Sequence, residues 1–304
     1  MGHGLERRSR RPDYRFGRLP NGMRYAIRHN ATPAATGVVR FEIEAGSLDE
    51  NDDELGYAHF VEHMAFNGST HVAEGEMVRL LERNGLAFGA DTNAFTNYEE
   101  TLYKLDLPKN EPQLLETALM LMRETASELT LSPAAVEREK GVILSEMRDR
   151  EGWRMKDYVN QTDFFYPQSR FSRRLAIGTE ASIKGVTAER LRTFWQREYL
   201  PGKATLVVVG DFDPDAVEAM IRSRFGDWQR NGAVDEPQPA PGPIDVTDKA
   251  RTAINIDPSL SERLVMTRFA PWQDEPDSIA NRRENLLQDI GYAIVNRRLV
   301  SLTR

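Results

Sequence analysis

Gly56-Tyr57-Ala58-His59-Phe60-Val61-Glu62-His63-Met64-Ala65-Phe66 sets two imidazoles and a carboxylate into one short apolar segment. His59 and His63 stand four positions apart. On a helix of about 3.6 residues per turn that spacing puts both rings on one face, one above the other, where they can share a metal ion. Glu62 lies three residues after His59, so its carboxylate reaches a water on that metal without being a ligand. The pattern His-x-x-Glu-His is the inverse of the commoner zinc-peptidase helix motif. Histidine is scarce, with five in 304 residues. A packed helix rarely takes His, Glu and His on consecutive turns unless a cation offsets the cost of burying the carboxylate. Imidazole ligands favour zinc over magnesium or calcium, and a catalytic zinc takes a third protein ligand beside its open position.

Composition narrows the rest. The chain is 40% hydrophobic and 29% charged, values of a globular protein long enough to bury a real core. No apolar run approaches the roughly 20 residues needed to span a bilayer. A net charge of −7 argues against nucleic acid as a partner, despite the basic cluster Arg7, Arg8, Arg10 and Arg11, which reads as a disordered arm over residues 1–13. With no cysteine in the sequence, any zinc is held by His, Asp or Glu.

Upstream of the motif, Phe16 to Arg28 reads as a hairpin around Asn21-Gly22, and Val38 to Ala45 as a strand. Asp53 or Glu54 is placed to serve the N-terminus of the metal helix. Downstream, Glu74 to Arg83 is a helix, and Phe88 to Phe95 and Thr101 to Leu107 are strands. Glu111 to Leu129 is a long amphipathic helix. Ser132-Pro133 opens another helix, which carries Glu139 and Glu146, seven residues apart and within about 20° of one face. Either can approach the histidine pair. Trp153 to Tyr166 and Thr187 to Glu198 read as helices, Lys203 to Asp211 as a buried strand and Pro214 to Phe225 as a closing helix. Residues 14–234 thus form one domain, followed by a proline-rich linker over 235–249. Thr252 to Ile256 and Arg263 to Phe269 read as strands and Ile279 to Thr303 as a helix, so residues 250–304 begin a second, truncated domain.

Together these residues resemble the pitrilysin/insulinase family of zinc metallopeptidases, in particular a bacterial subgroup of long, exported enzymes. The likeness runs from Leu19-Pro20-Asn21-Gly22-Met23 through Ala45-Gly46-Ser47, the His59 to His63 motif and Phe88 to Phe95. It continues through Glu139-Lys140-Gly141-Val142-Ile143-Leu144-Ser145-Glu146 to Ile177-Gly178-Thr179 and Val209-Gly210-Asp211. The resemblance implies an α+β fold, an α/β roll with an antiparallel sheet covered by helices, and a following domain of the same kind that closes a chamber around substrate. It implies one zinc ion per chain, with Glu146 as third ligand and Glu139 supporting catalysis from nearby by orienting His59 or His63. Asn93, Ala94 and Phe95 correspond to a strand that pairs with an extended peptide. The expected activity is endopeptidase cleavage of peptides or small unfolded proteins by a zinc-bound water that Glu62 activates. The second half of a full-length chain is the expected partner, and the periplasm the expected location, with the cytoplasm as the other. Two other classes fit fewer of these residues. A non-catalytic partner subunit has no use for an intact motif, and a zinc amidase or esterase on another fold needs neither the Asn93 strand nor the paired glutamates.

Overall fold

The structure is a computed structural model that describes residues 13–87, 89, 91–229, 240–246, 250–271, 273, 275 and 277–302. Residues 13–245 with 250–264 form one compact unit, and residues 265–302 fall in a second. In the first unit, strands β1 (Tyr14–Arg18) and β2 (Arg24–His29) form the hairpin expected around Asn21-Gly22. They join β3 (Gly37–Ile43), β4 (Thr92–Thr96), β5 (Thr101–Leu107) and β6 (Ala204–Gly210) in one sheet of order β1-β2-β6-β3-β5-β4. The class is α+β, as the sequence indicates. Every pairing is antiparallel except β2 with β6. Those two strands are separated by nearly the whole unit, a connection long enough to bring the chain back in the same direction.

Strands β3, β5 and β6 alternate strictly between buried and half-buried residues. Val39, Phe41, Ile43, Tyr103, Leu105, Leu206 and Val208 therefore turn one face of the sheet into the core. The continuous valines of β6 read as a buried strand, yet Val207 and Val209 are only half-buried, on the face opposite Leu206 and Val208.

Helices α1 (Tyr57–Met64), α2 (Glu76–Arg83), α3 (Pro112–Ser127), α4 (Pro133–Arg150), α6 (Glu180–Gly185), α7 (Ala188–Glu198) and α8 (Pro214–Phe225) supply buried apolar residues to the core, whereas in α5 (Trp153–Phe165) the buried residue is Thr162. Ser132 caps α4 by accepting from the amide of Ala135 at 3.2 Å, and Pro133 supplies a first turn that needs no amide donor. The helix α9 (Ile279–Leu302) lies in the second unit.

Three expectations change. The strand expected from Phe88 begins at Thr92, with a turn before it at Gly89, and residues 88 and 90 lie outside the described set. Residues 252–256 and 263–269 form no strand. Extended chain becomes a strand only beside a partner, and around residues 255–263 the contacts are polar ones to α5: Asn255 Nδ2 donates to Asp157 at 2.8 Å and Arg263 pairs with the same carboxylate at 2.8 Å. Of the proline-rich linker, residues 235–239 and 247–249 lie outside the described residues.

Candidate metal centre

Helix α1 starts at Gly56, whose φ of 90° suits glycine. A side chain there would press on the backbone of Gly178, 3.0 Å away. Gly178, at φ 72°, has the reciprocal constraint against Leu55 and Gly56. The two glycines let the loop before α6 close over the start of α1. Glu50 serves the helix N-terminus, in place of the expected Asp53 or Glu54. Its carboxylate accepts from the amides of Gly56 and Ala58, both at 3.0 Å. Its complete burial pushes the Glu50 carboxyl up to about 8, against the pull of those two amides. Asp53 instead pairs with Arg190, and Glu54 with Arg197, because the turn before α1 points both toward α7.

Helix α1 packs against α7, α4 and β4, and these neighbours assemble the site. His59 Nε2 and His63 Nε2 lie 3.3 Å apart. Glu146, from α4, brings Oε2 to 3.3 Å from His63 Nε2 and 3.7 Å from His59 Nε2. Among the described residues this is the group of His, Asp and Glu donors that converges tightly enough to hold a metal ion. Three donors around a tetrahedral zinc with bonds of about 2.0–2.1 Å lie about 3.3 Å from one another. The spacing therefore fits zinc, and the nitrogen, nitrogen, oxygen donor set suits it.

Glu139 stands one step outside. Its Oε1 accepts from His63 Nδ1 at 2.7 Å, leaving His63 Nε2 turned toward His59 and Glu146. Its Oε2 accepts from Asn67 Nδ2 at 3.0 Å, and the same amide group donates to the His63 carbonyl at 3.0 Å. Of the two histidines open to it from sequence, Glu139 thus meets His63. Glu62 is 7% exposed, and its Oε2 accepts from the Thr96 hydroxyl at 2.6 Å. Asn93, Ala94 and Phe95 sit on β4, an edge strand of the sheet, with Asn93 and Phe95 on its open face. A cavity of about 610 Å³ has Arg150, Trp153, Met155, Tyr158, Leu175 and Ile177 in its lining, and its Arg150 pairs with Glu146.

Asn67, Thr96 and Arg150 escape a reading centred on the motif, although each carried a faint signal. Asn67 follows His63 at helical spacing, Arg150 follows Glu146 by four on one helix, and Thr96 adjoins the Asn93 strand.

The charges couple. Burial and the neighbouring His63 drive His59 down to about 3. Burial also opposes a charge on His63, but its bonds to Glu139 and Glu146 win and raise it to about 9. Glu146 is held low, first by its bond to His63. Burial raises Glu62, partly offset by the bond from Thr96. Without metal, then, His59 is neutral and His63 carries a proton between two carboxylates. Metal must displace that proton, so zinc affinity is expected to rise about tenfold per pH unit as pH climbs toward about 9. Chelator competition at pH 6.5, 7.5 and 8.5 measures the slope; an affinity flat across that range would contradict it.

Two family models match the chain: "Insulinase (Peptidase family M16)" over residues 25–162 and "Peptidase M16 inactive domain" over residues 185–286. The probable zinc protease PqqL of Haemophilus influenzae is 31% identical over 300 residues, covering 95% of this chain and 31% of that protein. An Arabidopsis thaliana zinc protease, PQQL-like, is 30% identical over 292 residues, covering 95% of this chain and 30% of that one. The chain thus spans less than a third of these curated relatives. Among solved structures, the first half of the periplasmic protease PqqL from Escherichia coli superposes with a TM-score of 0.71 at 34% identity, covering 76% of this chain and 49% of that one. The matched spans take in both helices that carry the histidines and glutamates, and the chain belongs to the insulinase family of peptidases, family M16.

Proposed function

We propose that this chain is the zinc-binding part of an exported metalloendopeptidase that hydrolyses peptides or small unfolded proteins. The observation that carries the reading is the convergence of His59, His63 and Glu146 at zinc-donor spacing with the Glu62 carboxylate beside them. His59, His63 and Glu146 would hold one zinc. When bound, it supplies a Lewis acid for the scissile carbonyl and lowers the pKa of a coordinated water toward neutrality. Glu62 is the general base: it takes a proton from the attacking water and returns it to the leaving amine as the C–N bond breaks. Glu139 orients His63 through Nδ1 and keeps Nε2 available as a ligand. Asn93, Ala94 and Phe95 offer an edge on which an extended peptide adds as a further strand, a sequence-tolerant mode of binding.

The cavity supports a peptide substrate. Its lining residue Tyr158 lies 2.8 Å, hydroxyl to hydroxyl, from Tyr98 in the turn after β4. A chain running along β4 past the zinc ligands thus has room beside it for an apolar side chain. The periplasm is the proposed location, on the strength of the relative whose solved structure is named a periplasmic protease.

The second unit is proposed to be the beginning of another domain of the same family, completed by a further half of the protein. In support, α9 leaves Leu286, Leu287, Ile290 and Val295 exposed, and the relatives are about three times as long. That half would wall the substrate chamber and fix the scissile bond. With zinc loaded in both, the 304-residue chain is expected to show kcat/KM about 10²-fold below that of the full-length protein, since lost positioning costs several kcal/mol. Fluorogenic peptide hydrolysis at equal concentration makes the comparison, and equal values would remove the chamber from the account.

A further inference from the structure

We infer that Thr96 is a positioning residue that decides which oxygen of Glu62 carries the transferred proton. The inference rests on Glu62 being the general base, as proposed above. Thr96 is the last residue of β4, and Thr92, Ala94 and Thr96 form the less exposed set of that strand's alternating positions. The strand packs against α1, so the Thr96 hydroxyl meets Glu62 across the contact, with Oγ1 2.6 Å from Oε2.

Thr96 is the donor in that bond. A hydroxyl has one proton to give. Thr101 Oγ1, 3.3 Å from Thr96 Oγ1, donates its own proton to the Ala45 carbonyl at 2.9 Å. Thr101 therefore has none for Thr96. An ionised carboxylate is an acceptor only, so Thr96 gives its proton to Glu62, by far the shorter contact. Thr101 in turn is held by a backbone carbonyl and leaves the Thr96 proton to Glu62.

The consequence lies in the free oxygen. Oε1 of Glu62 forms no hydrogen bond among the described residues and is not sealed from solvent. When Glu62 takes a proton from water, Oε2 is already occupied by a donor and the proton settles on Oε1. The acid form keeps the same bond, because Oε2 is then a carbonyl oxygen that still accepts from Thr96. The proton is thus retained on Oε1, the oxygen without a hydrogen bond among the described residues, from which it passes to the amine nitrogen as the peptide C–N bond breaks. Without Thr96 the carboxyl is free to rotate and to bury its proton on the wrong side.

Thr96→Val removes the hydroxyl at nearly constant volume, and Thr96→Ser retains it. In zinc-loaded full-length protein, Thr96→Val is expected to lower kcat about 10- to 100-fold, the scale of a misplaced reacting group. KM and bound zinc stay within about twofold and Thr96→Ser recovers most of the rate, since only proton transfer is touched. A role through Glu62 also requires that the losses not add. In a Glu62→Gln background, Thr96→Val should cost less than about threefold, because there is no proton left to place. Wild-type kcat in Thr96→Val, or an equal loss in both backgrounds, would overturn the inference while leaving the peptidase reading intact. A Glu62→Gln protein as active as wild type would instead remove the base, and the inference with it.

Discussion

Glu62→Gln leaves zinc in place and lowers kcat of the full-length protein by at least about 10²-fold, the range for loss of a general base. The amide has the volume of the carboxylate, and its carbonyl oxygen can still accept from Thr96, so the local packing between α1 and β4 is preserved. What disappears is the capacity to take a proton. Glu62 lies outside the donor group of His59, His63 and Glu146, so metal content is expected to match that of wild type. Steady-state kinetics with metal analysis of the same sample checks both halves. Full activity in a zinc-loaded Glu62→Gln protein would take the base role away from Glu62.

The two glutamates of α4 should separate just as sharply. Glu146→Ala removes an oxygen 3.3 Å from His63 Nε2 and leaves two imidazoles, too few for a stable zinc site, so most of the zinc is lost. Glu139→Ala keeps all three donors. It unties His63 Nδ1, whose partner lies at 2.7 Å, and removes one of the two acceptors of the Asn67 amide. Zinc remains bound at stoichiometric concentration, while affinity or rate falls about 10- to 100-fold, as for other groups that orient a ligand. Metal analysis after dialysis against a weak chelator distinguishes the two variants, and the reverse pattern would exchange their roles.

The elements that local chemistry determines were legible in the sequence. Asn21-Gly22 announces the β1–β2 turn, Ser132-Pro133 the start of α4, and the spacing of His59 and His63 the shared face of α1. Each is a rule about neighbours within a few residues. The face shared by Glu139 and Glu146 was also readable, but which one meets the histidine nitrogens depends on how α4 lies against α1. No spacing within either helix contains that contact, and the resemblance to a family was needed to choose. Glu50 was missed for a similar reason. An acidic residue six positions before the amide it meets departs from ordinary capping, where the side chain sits at the N-cap itself. Asp53 and Glu54 were nearer in sequence and were turned away by Arg190 and Arg197. The apolar stretches at 252–256 and 263–269 have the composition of strands but no strand partner among the described residues, and composition alone does not supply one.

His59, His63 and Glu146 are proposed to hold one zinc ion. Anomalous diffraction above and below the zinc absorption edge, from crystals of this chain grown with one equivalent of zinc, tests it most directly. A single strong peak is expected about 2.0–2.2 Å from His59 Nε2, His63 Nε2 and a Glu146 oxygen, with Glu139 still bonded to His63 Nδ1. A map without a peak there at full zinc loading, or a peak coordinated by Glu139 in place of Glu146, would contradict it.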